Sequence, residues 1–381
     1  MTDRRHFLIG AAATLSAAFA PRLAYARAAT ERRFVFVIQR GAADGLAMVL
    51  PTGDPAHAAL RGAWAEDAAA ARRLDAMFAL HPALAGMAAL YDGGQALFAH
   101  AVASPYRDRS HFDGQNVLET GGAAAYAVRD GWLNRLLTLL PREDARAIAV
   151  AATVPLALRG VREVASYAPS ALPDASGDLM SRVTQLYAGD AQLHALWAQA
   201  VQTRQLAQEA GGDAGRNAAA TGALAARLLA PADGARIAMI ETGGWDTHAG
   251  QRGRLGTQLK ALDAMVSALR TGLGAAWGQT LVLVATEFGR TARINGTGGT
   301  DHGTATATML LGGTVRGGRV IADWPGLTRL YEDRDLTPTT DLDALVAGAV
   351  AGHFGIDPAR TMATLFPGNR GGRPVAGLIR A

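Results

Sequence analysis

Six residues of this 381-residue chain carry the side chains of an oxygen-and-imidazole metal centre and recur near the ends of short apolar runs: Asp44, Asp246, His248, Glu287, Asp301 and His302. Neutral imidazole and carboxylate hold zinc, manganese or iron when thiolates are absent, and the chain has no cysteine. The same zero removes disulfides, thiolate zinc sites, Cys-ligated iron–sulfur clusters and cysteine nucleophiles. In Asp246-Thr247-His248 the two ligand types stand one residue apart, which puts both on one face of extended backbone. Asp301 and His302 are adjacent and point apart on a regular strand, so either a loop presents both or one orients the other. Bland readings exist for two of the six: Asp44-Gly45 is a common turn pair, and a glutamate after a strand, such as Glu287, is ordinarily solvated or capping.

A further element is Arg107-Asp108-Arg109-Ser110-His111-Phe112-Asp113. Ser110 with Asp113 three residues on fits a helix-capping pattern that accounts for both. Beside a metal ion, the same hydroxyl would be a nucleophile toward a phosphoryl or sulfuryl group. Arg109 or Arg290 could then hold the anion.

The elements that must position these residues can be read from the apolar pattern. Residues 33–38 form a nearly continuous apolar run of strand length, as a buried parallel strand requires. Further strands are expected over 95–102, 145–153, 235–240 and 280–286, and Thr308-Met309-Leu310-Leu311 is a short apolar run. Leu259, Leu262, Val266, Leu269 and Leu273 repeat at spacings of three and four, the signature of an amphipathic helix. Leu179, Val183 and Leu186, then Leu193, Leu196 and Ala200, do the same on either side of Gly189-Asp190. Strands alternating with helices indicate an α/β fold with a largely parallel central sheet covered on both faces. In such a fold, strand ends converge on one rim. Residues 172–230, helix-rich and without a strand signal, are expected to be a helical insertion on that core.

Lys+Arg number 37 and Asp+Glu 33, a formal charge of +4, and Lys260 is the single lysine. Scattered arginine without basic runs or interleaved aromatics argues against a nucleic-acid partner. No GxGxxG or Walker loop is present, which disfavours a dehydrogenase or kinase. The N-terminus has a secretory grammar: paired Arg4-Arg5, an apolar stretch from about Leu8 to Ala20, and Ala24-Tyr25-Ala26. The paired arginines point to twin-arginine (Tat) export, with the Tat translocase as a transient partner. The apolar run is short for a bilayer span, so cleavage after Ala26 and a mature chain of 27–381 without a stable membrane span are expected, in the periplasm or secreted. Cleavage removes three arginines and one aspartate and leaves +2.

Taken together, these motifs resemble the bacterial "domain of unknown function 1501" family. They are the Tat leader, Gln39-Arg40-Gly41-Ala42-Ala43-Asp44-Gly45, Arg109-Ser110-His111-Phe112-Asp113, Glu241-Thr242-Gly243-Gly244-Trp245-Asp246-Thr247-His248, Thr286-Glu287-Phe288-Gly289-Arg290-Thr291 and Gly299-Thr300-Asp301-His302-Gly303. The likeness extends to Asp335-Leu336-Thr337-Pro338-Thr339-Thr340-Asp341. That family is similar in layout to the alkaline phosphatase-like superfamily of phosphatases, sulfatases and phosphoglycerate mutases. The resemblance implies an αβα sandwich with metal at the strand ends. It gives Asp44 the place of the first-strand carboxylate, Ser110 that of the nucleophile, and Asp246, His248, Glu287 and His302 those of ligands. Ala42-Ala43 departs from the Gly-Asn usual before the aspartate, and Glu287-Phe288 stands where the superfamily has Asp-His.

The expected function is an exported hydrolase of phosphate or sulfate esters, with a small anionic ester as substrate. Its divalent metal would be zinc first, with manganese, magnesium or calcium as alternatives. The rival is a secreted binding or assembly protein that keeps the scaffold without catalysis. An exported redox protein is disfavoured by the missing cysteines, a His/carboxylate iron site being its one route.

Overall fold

The computed structural model describes residues 31–381 apart from 142–144, 169–176, 191–192, 195, 199, 202–216, 233, 370 and 381. The leader expected over 1–26 lies outside the described residues. Among those described, no helix is long and apolar enough to cross a membrane.

Among the described residues the main sheet has nine strands: β1 (Arg33–Gln39), β2 (Ala96–Ala103), β3 (Ala147–Val150), β4 (Ala165–Ser166), β5 (Ile237–Thr242), β6 (Thr280–Ala285), β7 (Thr306–Leu311), β8 (Arg319–Ile321) and β9 (Thr340–Asp341). Their order is β8-β2-β7-β6-β1-β5-β3-β4, with β9 also on β2. β1 runs parallel to both neighbours, pairing Val35 with Ala238 and with Val282. β7 is the exception, antiparallel to both β2 and β6. The five runs expected as strands all lie in this sheet, as does the short apolar run 308–311.

β1 shows why the sheet needs cover on both sides. All seven of its residues are buried. Val35 and Val37 enter one apolar cluster, Phe34, Phe36 and Ile38 the other, as the two-residue period of a strand dictates. Each such side chain contributes roughly 1.5–3 kcal/mol on burial. On the valine side lie α2 (Ala85–Asp92), α5 (Ala218–Leu229) and α6 (Gln251–Leu273). On the phenylalanine side lie α4 (Trp132–Leu139), α7 (Leu342–Phe354) and α8 (Pro358–Leu365). The result is the αβα layering that the alternation of strands and helices anticipated.

α6 buries Leu259, Leu262, Val266, Leu269 and Leu273, the expected apolar stripe. Its partner α5 sits so close that a Cβ on Gly222 would lie 2.0 Å from the Met265 carbonyl oxygen. α5 falls inside the stretch 172–230 expected as a helical insertion. Residues 218–229 belong to the core, with Leu224 and Leu229 fully buried, whereas the helix Gly177–Tyr187 leaves Leu186 74% exposed.

One core acid sets a pH response. Asp343, in the first turn of α7, is pushed up to about 7 by burial and then by the adjacent Asp341 carboxylate, while Asn369 works the other way. Unfolded, the same carboxyl titrates near 4. Between about pH 4 and 7 the folded chain therefore binds more protons, and its stability falls as pH rises through that window. Asp343→Asn is expected to flatten this part of the Tm–pH profile and to raise Tm at pH 8. An unchanged profile would contradict the assignment.

Candidate metal centre

Three loops at the rim carry the site. The β1 loop turns at Gly41 (φ 118°) and Ala42 (φ 59°). Gly41 is required there, because a Cβ would lie 2.6 Å from the backbone nitrogen of Asp246. The loop after β5 brings Asp246 and His248, and the segment between β6 and β7 brings Glu287, Arg290, Asp301 and His302. Across from them, α3 (His111–Thr120), which follows β2, presents His111 at its first position.

Around Asp246, three imidazole Nε2 atoms converge. His248 Nε2 lies 2.9 Å from Asp246 Oδ1, His302 Nε2 3.3 Å from the same oxygen, and His111 Nε2 3.4 Å from Oδ2. His248 Nε2 and His302 Nε2 are 3.0 Å apart. His111, Asp246 and His302 each offer a ligand atom within 4.8 Å of the others; His248 Nε2 stands beside this trio, close to Asp246 and His302.

The far nitrogen of each ring fixes its tautomer. His302 Nδ1 is 3.0 Å from the Arg109 carbonyl oxygen, which can only accept, so Nδ1 carries the proton. His111 Nδ1 donates to Glu287 Oε1 (2.8 Å) and His248 Nδ1 to Asp301 Oδ1 (2.9 Å). Asp301 is held below the usual carboxylate range chiefly by that bond from His248. Burial opposes the charge on Glu287, but hydrogen bonds from His111, Gln115 and Thr286 outweigh it and keep the carboxyl low. Both acids accept from these Nδ1 atoms, and each ring turns its Nε2 toward Asp246.

Two imidazole nitrogens 3.0 Å apart need a proton or a metal cation between them. His111 Nε2 is, moreover, buried with no hydrogen-bond partner. Zinc–nitrogen bonds of about 2.0–2.1 Å in a tetrahedron put ligand atoms roughly 3.3 Å apart, close to the separations found here. The residues present fit a cation. Each ring also has the outer partner that metal-bound histidines ordinarily show.

A buried arginine sets the charge at Asp246. Arg290, fully buried, donates from Nη1 to Asp246 Oδ1 (2.7 Å). Burial works against the Asp246 charge, but Arg290 and then His248 hold its pKa below the usual range. The His111 pKa is raised, first by its bond to Glu287, and that of His302 is lowered, first by burial and then by the charge of His111. The centre is open to solvent, the side chains of Asp246 and His248 being 42% and 45% exposed.

Of the six expected ligands, the structure brings three together: Asp246, His248 and His302. Glu287 and Asp301 stand one step back, each holding a ring. Asp44 lies elsewhere: its carboxylate accepts from Arg61 (2.6 and 3.2 Å), from Gln251 (2.6 Å) and from the N–H of Ala47 in α1 (Gly45–Met48). At 1% exposure and so paired, it follows the turn reading rather than the ligand reading. A chain of bonds still joins it to the site, through Gln251 and Thr300 to Arg290.

The arginines are likewise committed. Arg290 serves Asp246 and Thr300, and Arg109 pairs with Glu332 and Asp335, so neither guanidinium is placed to hold an ester. Ser110 occupies the N-cap of α3 but makes no side-chain cap bond; the capping pattern is not used. His111 is the ligand candidate that sequence reading passes over. Its signal is position, the residue after Ser110 at a helix start beyond a strand, a place that Ser110 explains equally well.

No curated protein matches the chain. Among solved structures it is similar to Ps i-CgsB in complex with k-i-k-neocarrahexaose, with a TM-score of 0.40 and 11% identity over 90% of this chain and 77% of that one. It is also similar to the phosphonate monoester hydrolase of Agrobacterium radiobacter, with a TM-score of 0.35 and 11% identity over 76% and 70%. At such scores the likeness is a distant one of backbone course. The model for the family described as protein of unknown function (DUF1501) matches residues 31–366, and the chain belongs to that family.

Proposed function

We propose that the protein is an exported, metal-dependent hydrolase of phosphate or sulfate esters, with its ion held by His111, Asp246, His248 and His302. The observation that carries this reading is the convergence of three imidazole Nε2 atoms on one carboxylate, each ring held from its far nitrogen. Three imidazoles and one carboxylate suit zinc, manganese or iron better than magnesium or calcium. Bound there, such a cation supplies charge neutralisation to the ester oxygens and lowers the pKa of a hydroxyl beside it.

This chain's own residues do the rest. Glu287, Asp301 and the Arg109 carbonyl keep the three rings aimed. Arg290 keeps Asp246 ionised. Ser110, one residue before His111 and free of a capping role, is the nucleophile of this reading. The first turn of α3, uncapped by a side chain, presents N–H groups that favour an anion. The export element rests on the leader read in residues 1–26. The commitment of Arg109 and Arg290 to internal carboxylates favours the second reading, a binding role without turnover.

A panel of phosphate and sulfate monoesters and diesters, assayed with metal-loaded protein, separates the two. Turnover of one class is expected, and Ser110→Ala should lower kcat by roughly 10³-fold or more, as loss of a nucleophile does elsewhere, with metal content unchanged. Metal-loaded protein that turns over none of them supports the binding role.

A further inference from the structure

Asp335, the first residue of the segment 335–341, touches both the segment that carries His111 and the one that carries His302. Asp335 is completely buried. Its Oδ2 accepts from Arg109 Nε (3.0 Å) and from the hydroxyl of Thr304 (2.9 Å), two residues after His302. Its neighbour Arg334 donates to the His302 carbonyl oxygen (2.6 Å). The turn that presents Asp335 is itself unusual, with Glu332 and Asp333 both at positive φ (52° and 56°).

Arg109 is the link. Its backbone is left-handed (φ 59°), a conformation disfavoured for a residue with a Cβ and kept only where its surroundings over-determine it. That conformation is the one in which its carbonyl meets His302 Nδ1. The side chain is pinned by Asp335 and, at the surface, by Glu332, which is 51% exposed.

We infer that Asp335 is a positioning residue for the candidate metal centre: by gripping Arg109 it holds the left-handed turn whose carbonyl fixes the His302 tautomer. Only the affinity arm of its test rests on the metal reading above. The test compares the wild type, Asp335→Asn, Arg109→Met and Glu332→Gln, each checked for folding by circular dichroism. Long-range nitrogen–proton NMR of the histidine rings in metal-free protein reports the tautomer, and calorimetric titration with Zn²⁺ reports affinity.

In Asp335→Asn and Arg109→Met, His302 should populate the Nε2–H form and Zn²⁺ should bind about 10–100-fold more weakly, the usual effect of losing an outer partner. Glu332→Gln should stay within about threefold of wild type, as an exposed pair would. A folded Asp335→Asn whose ring spectrum and affinity match the wild type overturns the inference. If Asp335→Asn does not fold, Arg109→Met decides on the same readouts. A wild type that binds no Zn²⁺ defeats the metal reading, and the ring spectra of the metal-free variants still decide this one.

Discussion

Replacing His302 with alanine is expected to abolish stoichiometric metal binding while leaving the fold intact. The ring is 27% exposed and sits in a loop between β6 and β7, so its removal opens no core cavity. Its loss takes away a ligand together with the 3.0 Å contact to His248 Nε2 and the 3.3 Å contact to Asp246. Loss of outer partners alone costs roughly 10–100-fold in affinity, and a directly coordinating ring should cost more. Asp246→Asn should likewise lose metal, because the amide cannot match the carboxylate charge, and it should also lose stability, because it leaves buried Arg290 without a counter-charge. Equilibrium dialysis against Zn²⁺ followed by elemental analysis checks both. Affinity unchanged in both variants would remove these residues from the ligand set.

Asp44→Ala should instead unfold the protein more readily, by about 3–5 kcal/mol, out of a total stability on the order of 5–15 kcal/mol. Arg61 is 3% exposed, and its guanidinium is satisfied by Asp44 together with the carbonyls of Ala292 and Thr291. Removing the carboxylate leaves a buried cation without its counter-charge and takes away the cap on Ala47. Arg61→Met in the same background should recover part of the loss, because replacing both members of a buried pair is far less costly than orphaning one. Denaturant titration gives the numbers. The folded fraction of Asp44→Ala should still bind metal. Loss of metal at unchanged stability would return Asp44 to the ligand role that the family resemblance implies.

The two variants mark where sequence reading succeeds and where it stops. Apolar runs such as 33–38 and 280–286 declare buried parallel strands because a residue covered on both faces has no polar alternative. The rim position of Asp246, His248 and His302 follows from strand polarity. What a single sequence does not carry is which partner a carboxylate meets. Asp44 follows a strand as Asp246 follows another, yet Arg61, seventeen residues on, takes it. Glu287 and Asp301 are of ligand type and act through rings that precede them by 176 and 53 residues. His111 was concealed by Ser110, whose capping pattern offered a sufficient local explanation. Residues 218–229, inside the stretch expected as an insertion, pack into the core, because an alanine-rich helix shows its buried face only once Leu224 and Leu229 have α6 to pack against.

Anomalous diffraction from crystals of the wild-type protein loaded with Zn²⁺, measured at the metal edge, tests the central claim most directly. The expected result is a peak about 2.0–2.2 Å from Nε2 of His111, His248 and His302 and from a carboxylate oxygen of Asp246. A peak on Asp44, or none between these four side chains in crystals that carry the metal, would contradict it.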